Sequence, residues 1–330
     1  MTRCKDIDIY RGLGILLVVL GHVSFLGPYW HKVIYSFHMP AFFILSGYLV
    51  KIKNIELRPE QFIARKFCRL IIPAWSIGLI CGLLFVAILV MNRISGDEFL
   101  LKLYGTLTGA TKVANNFFVT PIWFLYCLFV VEVIFYVIMK ISTNKYIIVL
   151  IVVILFIIGR VLNIWSIFNI NIALIAMPYF TIGFLLQHII IPRNFVYALI
   201  AFILLFCLPL FSPVGVDISA LQIGTGKWLF INGISALVGS YLLYYISGYI
   251  NIEFISWLGK NTLIILGFNY YVNAIIKSTL GFIHMEYYVL LSFLIQVVLL
   301  AIIVKVITYW PTLNSLANGK IFLTYKNKVK

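Results

Sequence analysis

The first apolar run of the chain, DIDIYRGLGILLVVLGHV (residues 6–23), carries Asp8, Arg11 and His22. In hydrocarbon an ionisable side chain is costly unless it has a partner or a task. Arg11 and His22 are eleven positions apart, close to three helical turns, so they share a face about 16 Å long. Asp8 and Arg11 are three apart and can pair, which lowers the cost of burying the guanidinium. Gly12, Gly14 and Gly21 leave room for another backbone or for a ligand groove. The plain alternative is that Arg11 snorkels to the headgroups while His22 bonds a neighbouring helix. Three ionisable groups on one face, Asp8, Arg11 and His22, read instead as a functional site.

Other groups could join it. In FHMPAFFILSGYLV, His38, Phe42 and Ser46 recur every four residues and line one helix face, while Pro40 and Gly47 shape the backbone there. In ARKFCRLIIPAW, Arg65, Lys66 and Arg69 bring cations to one helix end. Those cations suit either anionic headgroups or the phosphates of a ligand, and the residues alone weigh the two equally. In TPIWFLYCLFVVEVIFY, Glu132 lies mid-helix and Trp123 begins the run. A buried glutamate is as readily half of an ion pair as part of a cavity. Two outward groups, GPYWH (27–31) and Arg160 with Asn163 and Trp165, read as sugar-stacking surfaces or as an aromatic belt.

The elements that position these residues are membrane helices. Of 330 residues, 63% are hydrophobic and 11% charged, too few charges to cover a soluble domain of this length. Apolar runs fall at 9–26, 33–50, 70–91, 120–139, 146–163, 171–189, 194–212, 228–248, 261–279 and 285–308. The expected fold is therefore an all-α integral membrane protein of about ten transmembrane helices in one bundle. The expected organisation is a single polytopic domain over 1–330 with no appended soluble domain.

The net charge of +15 does not argue for nucleic acid. The cations sit in loops between apolar runs, with no basic helix of the kind that tracks a phosphate backbone. With both termini cytoplasmic, most lysines and arginines fall inside, Arg58, Arg65, Lys66, Arg69, Lys140, Arg193 and Lys260 among them. Far fewer fall outside, as the positive-inside rule requires. The loop 92–119 is apolar enough to lie at the interface or re-enter. Five scattered cysteines suggest neither a disulfide framework nor a metal site.

With these motifs in view, the sequence resembles the acyltransferase-3 family of bacterial membrane acyltransferases, and within it the fucose 4-O-acetylase type. The resemblance rests on DIYRG followed by His22, on FHMPAFFILSGY, on KFCR with LIIPAW, on PIWFLYCLFVVEVIFY and on WLGKNTLIILGF (257–268). It implies transfer of an acyl group, usually acetyl, from cytoplasmic acyl-CoA to a hydroxyl of a surface polysaccharide or lipid-linked sugar. The resemblance makes His22 the catalytic histidine, Arg11 its partner toward the donor, and Lys66 and Arg69 the paired basic motif. Lysine at 66 keeps the charge and loses the two-pronged geometry of arginine. Asn269 stands where many relatives have a histidine, so no second catalytic histidine is expected there.

Donor-side binding is thus expected from Arg11, Arg65, Lys66 and Arg69. His38, Ser46, Trp123 and Glu132 are further cavity candidates. The expected co-substrate is acetyl-CoA, with no metal. The expected partners are acyl-CoA, the glycan acceptor, the bilayer and, as an option, a second copy in a homo-oligomer. The expected location is the bacterial inner membrane. The rival reading is an exporter of the same sugars without acyl transfer, which helices broken in symmetric halves would favour.

Overall fold

A computed structural model describes residues 5–23, 26–161, 167–211, 216–280 and 289–320. The protein is all-helical, 83% helix without strands among the described residues. In its described residues, each of the ten apolar runs falls mainly on a helix. In chain order these are α1 (Lys5–Gly21), α2 (Pro28–Tyr48), α4 (Pro59–Val90), α6 (Trp123–Ile141), α7 (Lys145–Val161), α8 (Ile170–Leu185), α9 (Phe195–Phe211), α10 (Lys227–Ser247), α12 (Thr262–Leu280) and α13 (Val289–Tyr309). Four shorter helices lie between or after them: α3 (Ile52–Ile55), α5 (Gly96–Thr108), α11 (Glu253–Lys260) and α14 (Pro311–Ala317). Among the described residues, five helical segments, Pro59–Val90, Thr120–Ile141, Ile167–His188, Lys227–Ser247 and Val289–Tyr309, are long and apolar enough to cross a membrane.

The boundaries differ from the apolar runs where helix and hydrophobicity part company. α4 begins at Pro59, eleven residues before its apolar run, because Pro59 supplies a first-turn residue and the polar stretch after it forms helix readily. α1 ends at Gly21, before the end of its run, and His22 is the turn residue that follows. Its amide still reaches the carbonyls of Val18 (3.3 Å) and Val19 (3.2 Å). The loop 92–119 is ordered and contains α5. Ser95 caps α5 by accepting from the Glu98 amide at 3.1 Å, and Gly109 closes it in the left-handed region at φ +86°.

The chain divides into two compact units. The first comprises Met1–Lys51, Ser142–Asn163 and Leu174–Thr262, and the second Ile52–Ile141, Ile164–Ala173 and Leu263–Lys330.

In the first unit, two reciprocal glycine pairs set the helix spacing. Gly12 of α1 lies against the backbone of Ile255 in α11, and Gly259 of α11 lies against the backbone of Asp8. The same device joins α2 and α8, where Gly47 meets Phe180 and Gly183 meets Ile44, again backbone to glycine. Without side chains at the crossing, the helices approach until their backbones touch. Around them Tyr10, Val33, Phe37, Leu205, Leu242 and Leu243 form a buried apolar core. Gln187 Nε2 closes the end of α2 by donating to the carbonyls of Gly47, Tyr48 and Val50 at 2.8–3.0 Å.

In the second unit, α4 packs on α5, α6 and α14. Asn169 fixes the start of α6 by donating to the carbonyls of Gly109 (2.8 Å) and Trp123 (3.4 Å). α12 and α13 are tied by Gln296, whose Nε2 donates to the Asn269 side-chain oxygen at 2.7 Å and to its carbonyl at 3.1 Å.

Candidate active site

The first unit gathers Asp8, Arg11, His22, His38 and Ser46. Asp8 is buried, and Arg11 is half-buried one turn on. The helix then runs unbroken to Gly21, so Arg11 and His22 keep their three-turn separation. Gly14 and Gly21, two of the glycines on α1, face α2 side chains. Gly14 lies under the Phe42 ring and Gly21 under the Tyr35 ring. The face of α2 carrying His38, Phe42 and Ser46 is thereby turned toward α1 at Phe42, with Ser46 half-buried one turn further.

Around His22 the structure builds a cluster that spacing alone did not suggest. The Tyr35 hydroxyl lies 3.5 Å from His22 Nδ1, and the two rings meet edge to face at 6.1 Å. His31 stacks on the same tyrosine at 3.8 Å, and His38 meets it at 4.8 Å and 66°. Three imidazoles therefore surround one phenol ring. His22, His31 and Tyr35 are half-buried, and His38 is buried at 3% exposure.

His38 is held in a defined way. Its Nδ1 lies 2.8 Å from the Ile34 carbonyl. A carbonyl can only accept, so Nδ1 carries a proton, and in the neutral ring Nε2 is the nitrogen with the free lone pair.

A carboxylate completes the electrostatics. Asp217, in the loop between α9 and α10, is within Coulombic reach of both His22 and His31. Its turn is rigid. Oδ1 accepts from the Ser219 amide (2.9 Å), the Ser219 hydroxyl (2.6 Å) and the Ala220 amide (3.2 Å). The backbones of Asp217 and Gln222 exchange two hydrogen bonds of 2.7 and 2.8 Å. Asp217 and Tyr35 were missed at the sequence level. Asp217 sits in a polar loop with no motif, and Tyr35 looks like any aromatic of an apolar helix. The signal that existed was His31, Tyr35 and His38 at four- and three-residue spacings on α2.

The second unit holds Arg65, Lys66, Arg69, Trp123 and Glu132. Arg65 and Arg69 are exposed on one face of α4, and the Arg65 guanidinium donates to Asn54 Oδ1 at 3.1 Å. Lys66 turns the other way. It is buried, its ammonium lies 2.7 Å from Glu132 Oε1, and it sits 5.4 Å from the centre of the Phe62 ring. Trp123 is buried at the start of α6, with its carbonyl taken by Asn169. Asn163 and Trp165 lie outside the described residues. No group of three or more His, Cys, Asp or Glu that could hold a metal occurs among the described residues.

Arg11 and His22 on one helix, FHMP with His38 on the next, and Lys66 with Arg69 in α4 follow the motif order of a known family. The sequence model of that family, an acyltransferase domain, matches residues 5–310. The chain belongs to the acyltransferase-3 family. No curated protein and no solved structure matches the chain. The match runs through both units in one stretch. As a member of the acyltransferase-3 family the protein is a membrane acyltransferase.

Proposed function

We propose that the protein transfers an acyl group, acetyl in the simplest case, from cytoplasmic acyl-CoA to a hydroxyl of a surface polysaccharide or lipid-linked sugar. The chain crosses the bacterial inner membrane about ten times with both termini cytoplasmic. Its basic loops then fall inside, and the turn holding Asp217 falls outside with the His22 end of α1. A sugar of the fucose 4-O-acetylase type is the acceptor suggested by FHMP and its neighbours.

The observation that carries this reading is the setting of His22. An imidazole ends the ionisable face of α1, lies 3.5 Å from a phenol hydroxyl and stands within reach of a carboxylate. That combination suits a base that must take up a proton and be stabilised when it does. His22 accepts the proton of the acceptor hydroxyl as the oxygen attacks the thioester carbonyl. The C–S bond breaks, and the thiolate leaves with that proton. If donor and acceptor bind in turn, His22 instead carries the acyl group between them. Arg65 and Arg69, with guanidinium groups free to meet solvent, suit the phosphates of the donor. Arg11 and Asp8 stand on the donor side of His22. Lys66, already closed on Glu132, holds α4 against α6 behind the two arginines.

The test is mass spectrometry of surface glycans from a deletion strain carrying the wild-type chain or His22→Ala. The reading requires an acyl mass on the glycan with the former and none with the latter. An acyl mass that persists with a folded His22→Ala would remove His22 from the reaction. A glycan unchanged by deletion would remove the acceptor class.

A further inference from the structure

The third imidazole of the cluster has no part in the chemistry above, yet it is the buried one of the three. His38 is buried, packed at 4.8 Å against the Tyr35 ring that also lies against His22, and bound through Nδ1 to the Ile34 carbonyl at 2.8 Å. That bond does two things. It fixes the ring on the helix, and it leaves Nε2 as a hydrogen-bond acceptor of known identity. A ligand that meets an acceptor there must bring a donor. Sugar hydroxyls are such donors, and a sugar has more of them than the one that reacts. His22, His31 and Tyr35 are half-buried, and His22 and His38 pack on the same Tyr35 ring, so a polyhydroxylated acceptor bound at His22 has His38 as a near neighbour.

We infer that His38 selects the acceptor: its Nε2 accepts a hydrogen bond from a second, non-reacting hydroxyl of the sugar whose first hydroxyl is acylated at His22. The inference rests on the proposed transfer to a sugar and adds which group recognises it. It makes the protein selective for acceptors with a further hydroxyl close to the reacting one. An alcohol lacking that hydroxyl leaves Nε2 desolvated without a partner, the kind of mismatch that discriminates most strongly between substrates. His38 is a positioning residue here, since it touches the acceptor but not the bonds that form and break.

Two substitutions separate this role from a structural one. In His38→Asn the side-chain amide takes the place of Nδ1–H and keeps the bond to Ile34, but nothing reaches the Nε2 position. In His38→Gln the longer side chain puts an amide oxygen near Nε2 and gives up the Ile34 bond. Both are expressed in the deletion strain and matched for membrane level, and acyl occupancy of the native glycan is measured. Each is also purified, and its hydrolysis of acetyl-CoA without acceptor is followed. The expected result is a loss of occupancy of tenfold or more for His38→Asn, with acetyl-CoA hydrolysis and its KM unchanged. His38→Gln is expected to stay within threefold of wild type.

Retained occupancy in His38→Asn overturns the inference. So does equal loss in His38→Gln, or a parallel loss of acetyl-CoA hydrolysis in His38→Asn. A wild-type protein that neither acylates the glycan nor hydrolyses acetyl-CoA removes the proposed function itself, an outcome distinct from all of these.

Discussion

Lys66 of α4 closes on Glu132 of α6 at 2.7 Å, with the Phe62 ring beneath its ammonium. The pair divides the basic motif by face. Lys66 belongs to the interior of the second unit, and Arg65 and Arg69 are left exposed on the outside of α4. An ammonium buried against a carboxylate is held in place by a charge that a ligand would have to displace. The exposed guanidinium groups have no such competitor and fit phosphate oxygens two at a time.

Breaking the Lys66–Glu132 pair should therefore be a matter of stability. Lys66→Met leaves a buried carboxylate uncompensated, at a cost of roughly 3–5 kcal/mol, and Lys66→Met with Glu132→Leu should recover most of it. Thermal unfolding in detergent would show this. A double variant as unstable as the single would mean that packing at these positions, and not charge, is what matters.

Arg65 and Arg69 should instead affect the donor. Replacing both by Ala is expected to raise KM for acyl-CoA about tenfold or more, with the difference shrinking as salt screens the phosphates. Unfolding temperature should hardly move. An unchanged KM at low salt would return these residues to the role of topology signals.

The glycine pairs give a sharper contrast. Gly47 and Gly183 face backbone atoms of Phe180 and Ile44, so Gly183→Val must push α2 and α8 apart. Overpacking of this kind costs about 1–3 kcal/mol or more, and folded protein recovered from membranes should fall. Gly233 of α10 has open space where a Cβ would stand. Gly233→Ala should be neutral or stabilising by up to about 1 kcal/mol. Equal loss in both variants would mean that the observed close approach is not what the glycines provide.

Much of this fold is readable from hydropathy, because hydrocarbon forces every apolar run to satisfy its backbone internally. The described residues of the ten runs are mainly helical, as that requirement predicts. The misplaced boundaries share a cause. Hydropathy reports lipid contact, and the first turns of α4 are helix built from polar residues. The loop that holds α5 reads from hydropathy as an interfacial or re-entrant stretch, although Ser95 and Glu98 form a capping signal at its start. The site was legible where spacing on one helix defines it, as for Arg11 and His22. It was not legible where partners come from distant segments, as for Glu132 with Lys66 or Asp217 with His22. No single-sequence periodicity links such positions.

Asp217 provides the fourth expectation. Asp217→Asn keeps the side-chain oxygen that holds the turn and removes the charge near His22 and His31. A field change of about 1 kcal/mol, plausible for partly screened charges, should lower turnover roughly threefold to tenfold without changing KM for the donor. Turnover equal to wild type would leave Asp217 as a turn residue only.

The account stands on the His22 imidazole, and purified protein tests it most directly. With acetyl-CoA and the native glycan, wild type should release free thiol as the glycan gains acetyl groups. His22→Ala, folded and monodisperse, should be slower by roughly a hundredfold to ten-thousandfold. A His22→Ala protein that acetylates the glycan at the wild-type rate would contradict the account.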